Sequence, residues 1–376
     1  MSKILKSLQF VTQSASPSTP SAGTGALFGS GSSFYFENSS GTVFDLAASN
    51  GYIVTRSYTG STTGVDVPYT WSKSPSLKFL EICCVGGGGG GGGGRSIAIN
   101  NQQVTTGGGG GAIAYLWLEA SQLSSSPYVI TVGRGGTPGA ARVSTGTALT
   151  SNTGSRGGNT SFGSLVVAEG GQGGQSTTFA SGGLAINCVP SSGPWIISGV
   201  PSGPAGGTNA TTNRSQDVFD PLGVSTLVST VTRNSIIFYG QGGAAGGSGG
   251  GRDSVVGLFA GRTGSGIDST VIAGGYPGPT PGSSGTVGGN GGNGVNNVLT
   301  SLLLLSGSNF GYGLGTGGSG GGSGTTQGGN GGNGGYYGAG GGGGGLLFGL
   351  GSASFPSSSG AGGSGSSGLC LLIEYY

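Results

Sequence analysis

The chain has 376 residues, of which 95 are glycine and none is histidine. Charged residues make up only 6% and the net charge is +2, whereas globular proteins average about 25% charged residues and roughly 7% glycine. This composition argues against a helical protein, because an interior glycine costs about 1 kcal/mol of helix stability relative to alanine. It also argues against nucleic-acid binding, which needs clustered lysine and arginine side chains.

The residue types on which most enzymes depend are scarce, so we expect neither an enzymatic activity nor a cofactor. A chain without histidine cannot form a His-based triad or a His-ligated metal site. GxGxxG patterns occur by chance in such a composition, and no Walker A lysine is present, because every lysine lies before residue 79. The cysteines stand in apolar runs without CxxC spacing, which favours buried free thiols over a zinc site. They are Cys83, Cys84, Cys188 and Cys370.

We expect residues 1–50 to form a unit of their own. Residues 1–22 indicate a short, partly exposed arm, and the alternation over 33–47, with Asn, Ser and Gly at its centre, predicts a β-hairpin. The start of the chain has no apolar run of signal-peptide length. No segment reaches the roughly 18 apolar residues that a membrane helix needs. We therefore expect synthesis in a cytoplasm and no membrane insertion.

Residues 51–75 are predicted to be a connector with short β-prone pieces, and 76–376 a glycine-rich domain. Apolar strand candidates recur in this domain, and glycine runs adjoin them. The candidates are 76–85, 112–119, 128–132, 164–169 and 369–376. The segment 175–239 contains five of the fifteen prolines, which argues for loop more than for sheet.

The glycine runs admit three interpretations: disordered loops, tight strand-connecting turns, or ordered helices of the polyglycine-II type. Gly-rich chains behave as flexible coils by default. However, asparagine recurs at every third residue in the runs 288–294 and 328–335, and three residues per turn is the period of the polyproline-II helix. This period favours ordered helices that pack backbone to backbone, with the asparagines along one edge, facing solvent or a neighbouring layer.

Together these patterns predict an all-β fold. We expect a β-sandwich-like, glycine-rich domain with polyglycine-II-type helices and long loops, preceded by a small β-hairpin. Almost no α-helix is expected.

The order of motifs resembles the glycine-rich domain of bacteriophage tail-fibre and receptor-binding proteins. The matching motifs are TWSK at 70–73, the apolar strand ending in glycines 86–94, TVGRGG at 131–136, GGNTSFGS at 157–164, AEGGQGG at 168–174 and the closing strand GLCLLIEYY at 368–376. In addition, PSTPSAG at 17–23 followed by the 33–47 hairpin is similar to the virion-attachment segment of phage fibres.

The resemblance implies a structural protein of a bacteriophage virion: a tail fibre, or a similar fibre, that recognises the host surface and forms a homotrimer. Its N-terminal region would contact tail, neck or capsid proteins, and its glycine-rich domain a glycan or protein of the host. A purely structural role, as a head fibre or as a capsid or neck decoration, is the alternative. Ice binding is disfavoured, because Thr and Ser do not recur at every third residue.

Two sets of candidate site residues follow. The candidate virion-anchor residues are Leu5, Phe10, Phe34, Tyr35, Phe36, Phe44 and Leu46. The candidate receptor-contact residues stand beside glycine or in short loops, and tyrosine is a favoured contact residue in adaptable binding loops. They are Tyr276, Phe310, Tyr312, Tyr336 and Tyr337, with core packing as the competing interpretation for Phe310.

Overall fold

The computed structural model describes most of the glycine-rich domain and parts of the N-terminal region. The described residues are 25–30, 33–38, 43–45, 53–61, 64–97, 105–144, 152–175, 185–186, 246–247, 249, 252–253, 257–258, 260–261, 280–296, 315–348 and 357–376. They form strands, extended glycine segments and turns, and the one helical element among them is a single 3-10 turn, Ala120–Gln122. The expectation of an all-β protein is therefore confirmed.

A small antiparallel sheet lies in the N-terminal region. Its strands are β1 (Gly25–Ser30), β2 (Ser33–Asn38) and β3 (Val43–Asp45), in that order. The predicted hairpin corresponds to β2 and β3, which pair Phe36 with Phe44. The sheet also includes β1, which pairs with β2 over its full length.

Two antiparallel sheets form a sandwich. The first consists of β4 (Ile53–Thr59), β20 (Leu369–Tyr375), β6 (Phe79–Val85) and β8 (Ile113–Glu119), in that spatial order. The second consists of β13 (Ala185–Ile186), β12 (Val166–Ala168), β11 (Thr160–Phe162), β9 (Tyr128–Val132) and β5 (Val67–Trp71). Strands β11 and β12 pack against β6, and β12 also packs against β8, so the two sheets face each other.

The core lies between these sheets because alternate residues of each strand point the same way. Leu80, Ile82 and Cys84 of β6 point towards the second sheet, where the ring of Phe162 lies 5.5 Å from that of Trp71. Full burial of a side chain such as leucine or phenylalanine contributes about 1.5–3 kcal/mol. The sandwich is thus the apolar core of the described residues, and the glycine-rich segments adjoin it.

Several strands differ from the sequence expectation. The expected connector contributes β4 and β5, the edge strands of the two sheets, and Tyr69 donates a hydrogen bond to the carbonyl of Thr59 at 2.8 Å. The predicted strand 76–85 begins only at Phe79, because Leu77 N donates to Ser74 O in a preceding turn. The last strand, β20, lies between β4 and β6, so the chain ends in the interior of the first sheet.

The glycine segments are helices of the polyglycine-II type, because their backbone hydrogen bonds recur at every third residue. We number them p1 to p11 along the chain. They are p1 (86–94), p2 (105–112), p3 (133–140), p4 (152–159), p5 (169–175), p6 (280–284), p7 (288–296), p8 (315–323), p9 (328–335), p10 (338–346) and p11 (359–368).

Helix p1 is surrounded by other helices on all sides. Successive residues Gly86, Gly87 and Gly88 donate to carbonyls of p2, p4 and p11 at 2.8–2.9 Å, and the same partners recur three residues later. In turn, p1 accepts hydrogen bonds from p3, p5 and p10, so six helices surround it. Its glycines are buried, yet each amide has a carbonyl partner. This pairing satisfies the rule that buried backbone groups are hydrogen-bonded.

The strands of the sandwich and the polyglycine-II helices lie along a common axis, because one continues directly into the other. Strand β6 leads directly into p1, β9 leads into p3 and β12 leads into p5, while p2, p4 and p11 lead into β8, β11 and β20. We call the end at which β4 begins the sandwich pole, and the end of p1 and p3 furthest from the strands the glycine pole. At the glycine pole the chain continues from p1 into Arg95 and from p3 into Ala141.

Short strands pair near the glycine pole. They are β7 (Ser96–Ile97), β10 (Val143–Ser144), β16 (Gly285–Val287), β17 (Gly324–Gln327), β18 (Leu347–Phe348) and β19 (Ser357–Ser358), and they belong to one sheet. A separate hairpin joins β14 (Arg252–Asp253) and β15 (Gly257–Leu258). Hydrogen bonds within this sheet join the ends of helices that come from distant parts of the sequence.

Close backbone packing predicts that one added methyl group destabilises the lattice. A Cβ at Gly331 would overlap the carbonyl oxygen of Gly342, so we expect Gly331→Ala to lower the free energy of unfolding by about 1–3 kcal/mol. Gly285→Ala is the matched control, because its Cβ would meet nothing nearer than the Val287 oxygen at 3.4 Å. Calorimetry should show a lower melting temperature for Gly331→Ala alone. Equal melting temperatures would contradict the close packing.

Candidate functional site

The asparagines of p7 and p9 build an exposed ladder on the outside of the lattice. The Oδ1 atoms of Asn290 and Asn293 accept hydrogen bonds from the backbone N–H groups of Asn330 and Asn333, at 2.8 and 2.9 Å. In the other direction, Gly291 N donates to the carbonyl of Asn330 at 2.8 Å. Each rung therefore joins the two helices through one side chain and one backbone bond. The expectation that these asparagines lie along a single edge is confirmed.

The ladder continues by one more step. The Oδ1 atoms of Asn330 and Asn333 accept from the N–H groups of Ala361 and Ser364 in p11, both at 2.8 Å. Asn330 and Asn333 are exposed although they make these bonds. Because Oδ1 is occupied by a backbone donor, the carboxamide is held in one orientation. The Nδ2 groups have no acceptor among the described residues and are therefore donors available to a ligand.

Tyr336 occupies the next position in the same period of three. Its N–H donates to Oδ1 of Asn296 at 3.0 Å, as Asn330 and Asn333 do to their own partners. The side chain of Tyr336 is exposed, and that of Tyr337 is half-buried, with the two rings 5.6 Å apart. Burial raises the pKa of Tyr337 above its ordinary value, and the neighbouring Tyr336 adds to the shift.

We call this set the asparagine face: Asn290, Asn293, Asn296, Asn330, Asn333 and Tyr336. It presents amide donors in rows, with an exposed aromatic ring at one end. Such a surface can form hydrogen bonds with hydroxyl groups and can stack against an apolar ring face. It holds no charged side chain.

The structure describes only some of the residues that the sequence suggested. Tyr336 and Tyr337 lie together in the turn between p9 and p10. Tyr276, Phe310 and Tyr312, like the anchor candidates Leu5, Phe10 and Leu46, lie outside the described residues. For Phe34, Tyr35, Phe36 and Phe44 the structure gives the backbone alone, in β2 and β3.

Buried carboxylates belong to the sandwich. Glu374 accepts hydrogen bonds from Trp71 Nε1, from Arg56 Nε at 2.9 Å and from the hydroxyl of Tyr376 at 2.9 Å. The hydrogen bond to Glu374 and the negative charge of that carboxylate raise the pKa of Arg56. Tyr375 donates to Glu81 at 2.6 Å in the same way. These carboxylates therefore link side chains around β20 by hydrogen bonds.

Three cysteines are buried free thiols, as the sequence predicts: Cys83, Cys84 and Cys370. Burial raises the pKa of the Cys83 thiol well above its ordinary value. Cys188 lies outside the described residues. Within the described ranges, no group of three or more His, Cys, Asp or Glu side chains could hold a metal ion. No helix in that part of the chain is long and apolar enough to cross a membrane.

Comparison with known proteins identifies the family. A glycine-rich domain family matches residues 61–338, which is most of the chain. The chain therefore belongs to the glycine-rich domain family, and this part of the expected resemblance is confirmed. No match to a curated protein was found. The structure extends the domain beyond the matched range, because β20, in the interior of the first sheet, comes after it.

The asparagine period is visible in the sequence, but nothing in the sequence marks the asparagines as a candidate binding surface. The repeat at 290, 293, 330 and 333 places the side chains on one edge. Their exposure and their pairing across helices that stand 40 residues apart are visible only in the structure. Tyr336 is a candidate contact residue from the sequence alone, but it was not related there to the asparagines, whose spacing of three residues it continues after Asn330 and Asn333.

The ladder predicts a specific pattern of amide protection. Asn330→Ala removes the acceptor of the Ala361 N–H group, so we expect faster hydrogen exchange at Ala361 and a loss of stability of about 1 kcal/mol. Asn330→Asp keeps an acceptor oxygen and should retain protection. Gln327→Ala, an exposed change next to p9, is the control and should leave Ala361 unchanged. Unchanged exchange at Ala361 in Asn330→Ala would contradict the assigned bond.

Proposed function

We propose that the chain is a structural protein of a bacteriophage virion, in a tail fibre or a similar fibre, and that its glycine-rich domain recognises the host cell surface. The observation that carries this proposal is the polarity of the domain. The N-terminal region enters through β4 at the sandwich pole, whereas p1 and p3 continue into the short strands β7 and β10 at the opposite pole. The sandwich pole is thus suited to attachment to the virion. The remaining surfaces of the domain are suited to contact with the host.

The lattice supports this proposal by its close backbone pairing and by its lack of side chains. Helices such as p1 and p10 fill the interior with glycine, so the outer residues can vary without changes to an interdigitated core. Loops on a rigid scaffold are the usual position of binding residues. A homotrimer, which we also propose, would add avidity to weak single-site contacts.

The asparagine face supports a host glycan as the contacted molecule. Its oriented amides and the exposed ring of Tyr336 offer hydrogen bonds and stacking to sugar rings, without a charged group. A purely structural role on a capsid or neck would not require such a surface. We expect the chain to reach the virion after synthesis in the host cytoplasm.

Deletion of residues 1–47 tests the attachment role. We expect the truncated protein to keep the melting temperature of the glycine-rich domain, because β4 begins only at Ile53, but to be absent from assembled particles. Mass spectrometry of purified particles, with the full chain as control, measures incorporation. Incorporation of the truncated chain at the level of the full chain would contradict the anchor.

Tyr336→Ala tests the recognition role. We expect about tenfold weaker adsorption of the purified full-length chain to host cells, which corresponds to about 1.4 kcal/mol. Val287→Ala, an exposed apolar change near the glycine pole, is the control and should adsorb normally. Failure of the wild-type chain to adsorb to any host surface, with normal incorporation into particles, would favour the purely structural role.

A further inference from the structure

Two arginines at the glycine pole differ from Arg56, Arg134 and Arg156, which are ion-paired. Arg56, Arg134 and Arg156 each lie within 2.9–3.5 Å of a carboxylate oxygen. Arg95 and Arg142 have no carboxylate within ion-pair distance among the described residues. Their Nε atoms are buried and lack a hydrogen-bond partner in the same part of the chain. Within the described residues these two cations therefore have no carboxylate counter-charge.

The backbone holds the two arginines next to each other. Arg95 follows p1 directly and Arg142 lies just beyond p3, and p1 and p3 are hydrogen-bonded neighbours. Ser359 joins their ends: its hydroxyl accepts from Arg142 N at 2.9 Å and donates to the Gly94 carbonyl at 2.8 Å. Ser359 N also donates to the Arg142 carbonyl at 2.8 Å. Both arginines thus start from a fixed platform at the same end of the lattice.

The chain segments that adjoin this platform in sequence contain no acidic residue. The segments 95–104, 141–151 and 347–357, which continue from the ends of p1, p3 and p10, contain no aspartate or glutamate. Burial lowers the pKa of Arg95 below its ordinary value, which is the expected effect of a charge that is partly removed from water without a counter-ion. The guanidinium remains charged at neutral pH.

We propose that Arg95 and Arg142 form a binding site for the carboxylate groups of an acidic polysaccharide at the glycine pole. The planar guanidinium matches a carboxylate with two parallel hydrogen bonds, and the pair would supply two such forks on one platform. A bound carboxylate would also give the partly buried cations their missing counter-charge. The inference rests on the proposed function, because it names the chemical class of the host glycan.

Binding of the full-length chain to polygalacturonate, measured by calorimetry at low salt, tests this site. Fully methyl-esterified polygalacturonate is the neutral control with the same backbone. We expect the wild type to bind the acidic polymer at least about tenfold more tightly than the ester, with an affinity that falls as salt is added. Equal affinity for the two polymers, or no binding to the acidic one, would overturn the inference.

Two charge-matched double variants test the assignment to these residues. Arg95→Gln/Arg142→Gln should lose at least about tenfold in affinity, because each guanidinium contributes a charge-assisted pair. Arg134→Gln/Arg156→Gln removes the same charge from arginines that are already paired, and should bind like the wild type. Equal losses in both variants would mean unspecific attraction and would overturn the assignment, as would no loss in the first.

A conservative variant covers the case in which the glutamine variant fails to fold. Arg95→Lys/Arg142→Lys keeps both charges but loses the planar forks, so we expect severalfold weaker binding, and unchanged binding would count against the site. Adsorption to host cells separates this inference from the function on which it rests. Adsorption kept by a folded Arg95→Gln/Arg142→Gln variant refutes the arginine site alone, whereas a wild type that does not adsorb refutes the recognition function.

Discussion

The hydrogen bond between glycine backbones at every third residue is the constraint on which the rest of this structure depends. Glycine loses more conformational freedom on folding than any other residue, and a chain with 95 glycines therefore needs a strong compensation. In p1 that compensation is pairing with six neighbouring helices, which satisfies all of its buried amides and most of its carbonyls. Such close approach is possible only without Cβ atoms, so the same residue causes the entropic cost and permits the pairing.

The sandwich supplies the apolar burial that the glycine helices lack. Strands such as β6 and β20 contain the apolar side chains that drive burial, and they fix the positions from which p1 and p11 continue. The antiparallel register of the strands is carried directly into the helices: β6 pairs with β20, and p1 pairs with p11 in the same sense. Where the lattice ends at p7 and p9, asparagine side chains accept hydrogen bonds from exposed backbone donors.

Much of this architecture could be predicted from the sequence because its signals are local. The hairpin over 33–47, the strands that adjoin glycine runs and the asparagine period all reflect properties of neighbouring residues. The edge roles of β4 and β5 could not be predicted, since they depend on partners about 300 and 60 residues away. The contact of Ser359 with Gly94 and Arg142 likewise joins distant segments, so the arginine pair at the glycine pole had no sequence signal.

Residue-resolved hydrogen exchange of the amides of p1 tests the central claim most directly. If p1 is the centre of a hydrogen-bonded lattice, the amides of Gly86–Gly94 exchange as slowly as those of the adjoining strand β6, because both are buried and paired. An unstructured glycine run would instead exchange at the rate of a free peptide. Slow exchange across all nine glycines is the predicted result; free-peptide rates there, beside a protected β6, would contradict the account.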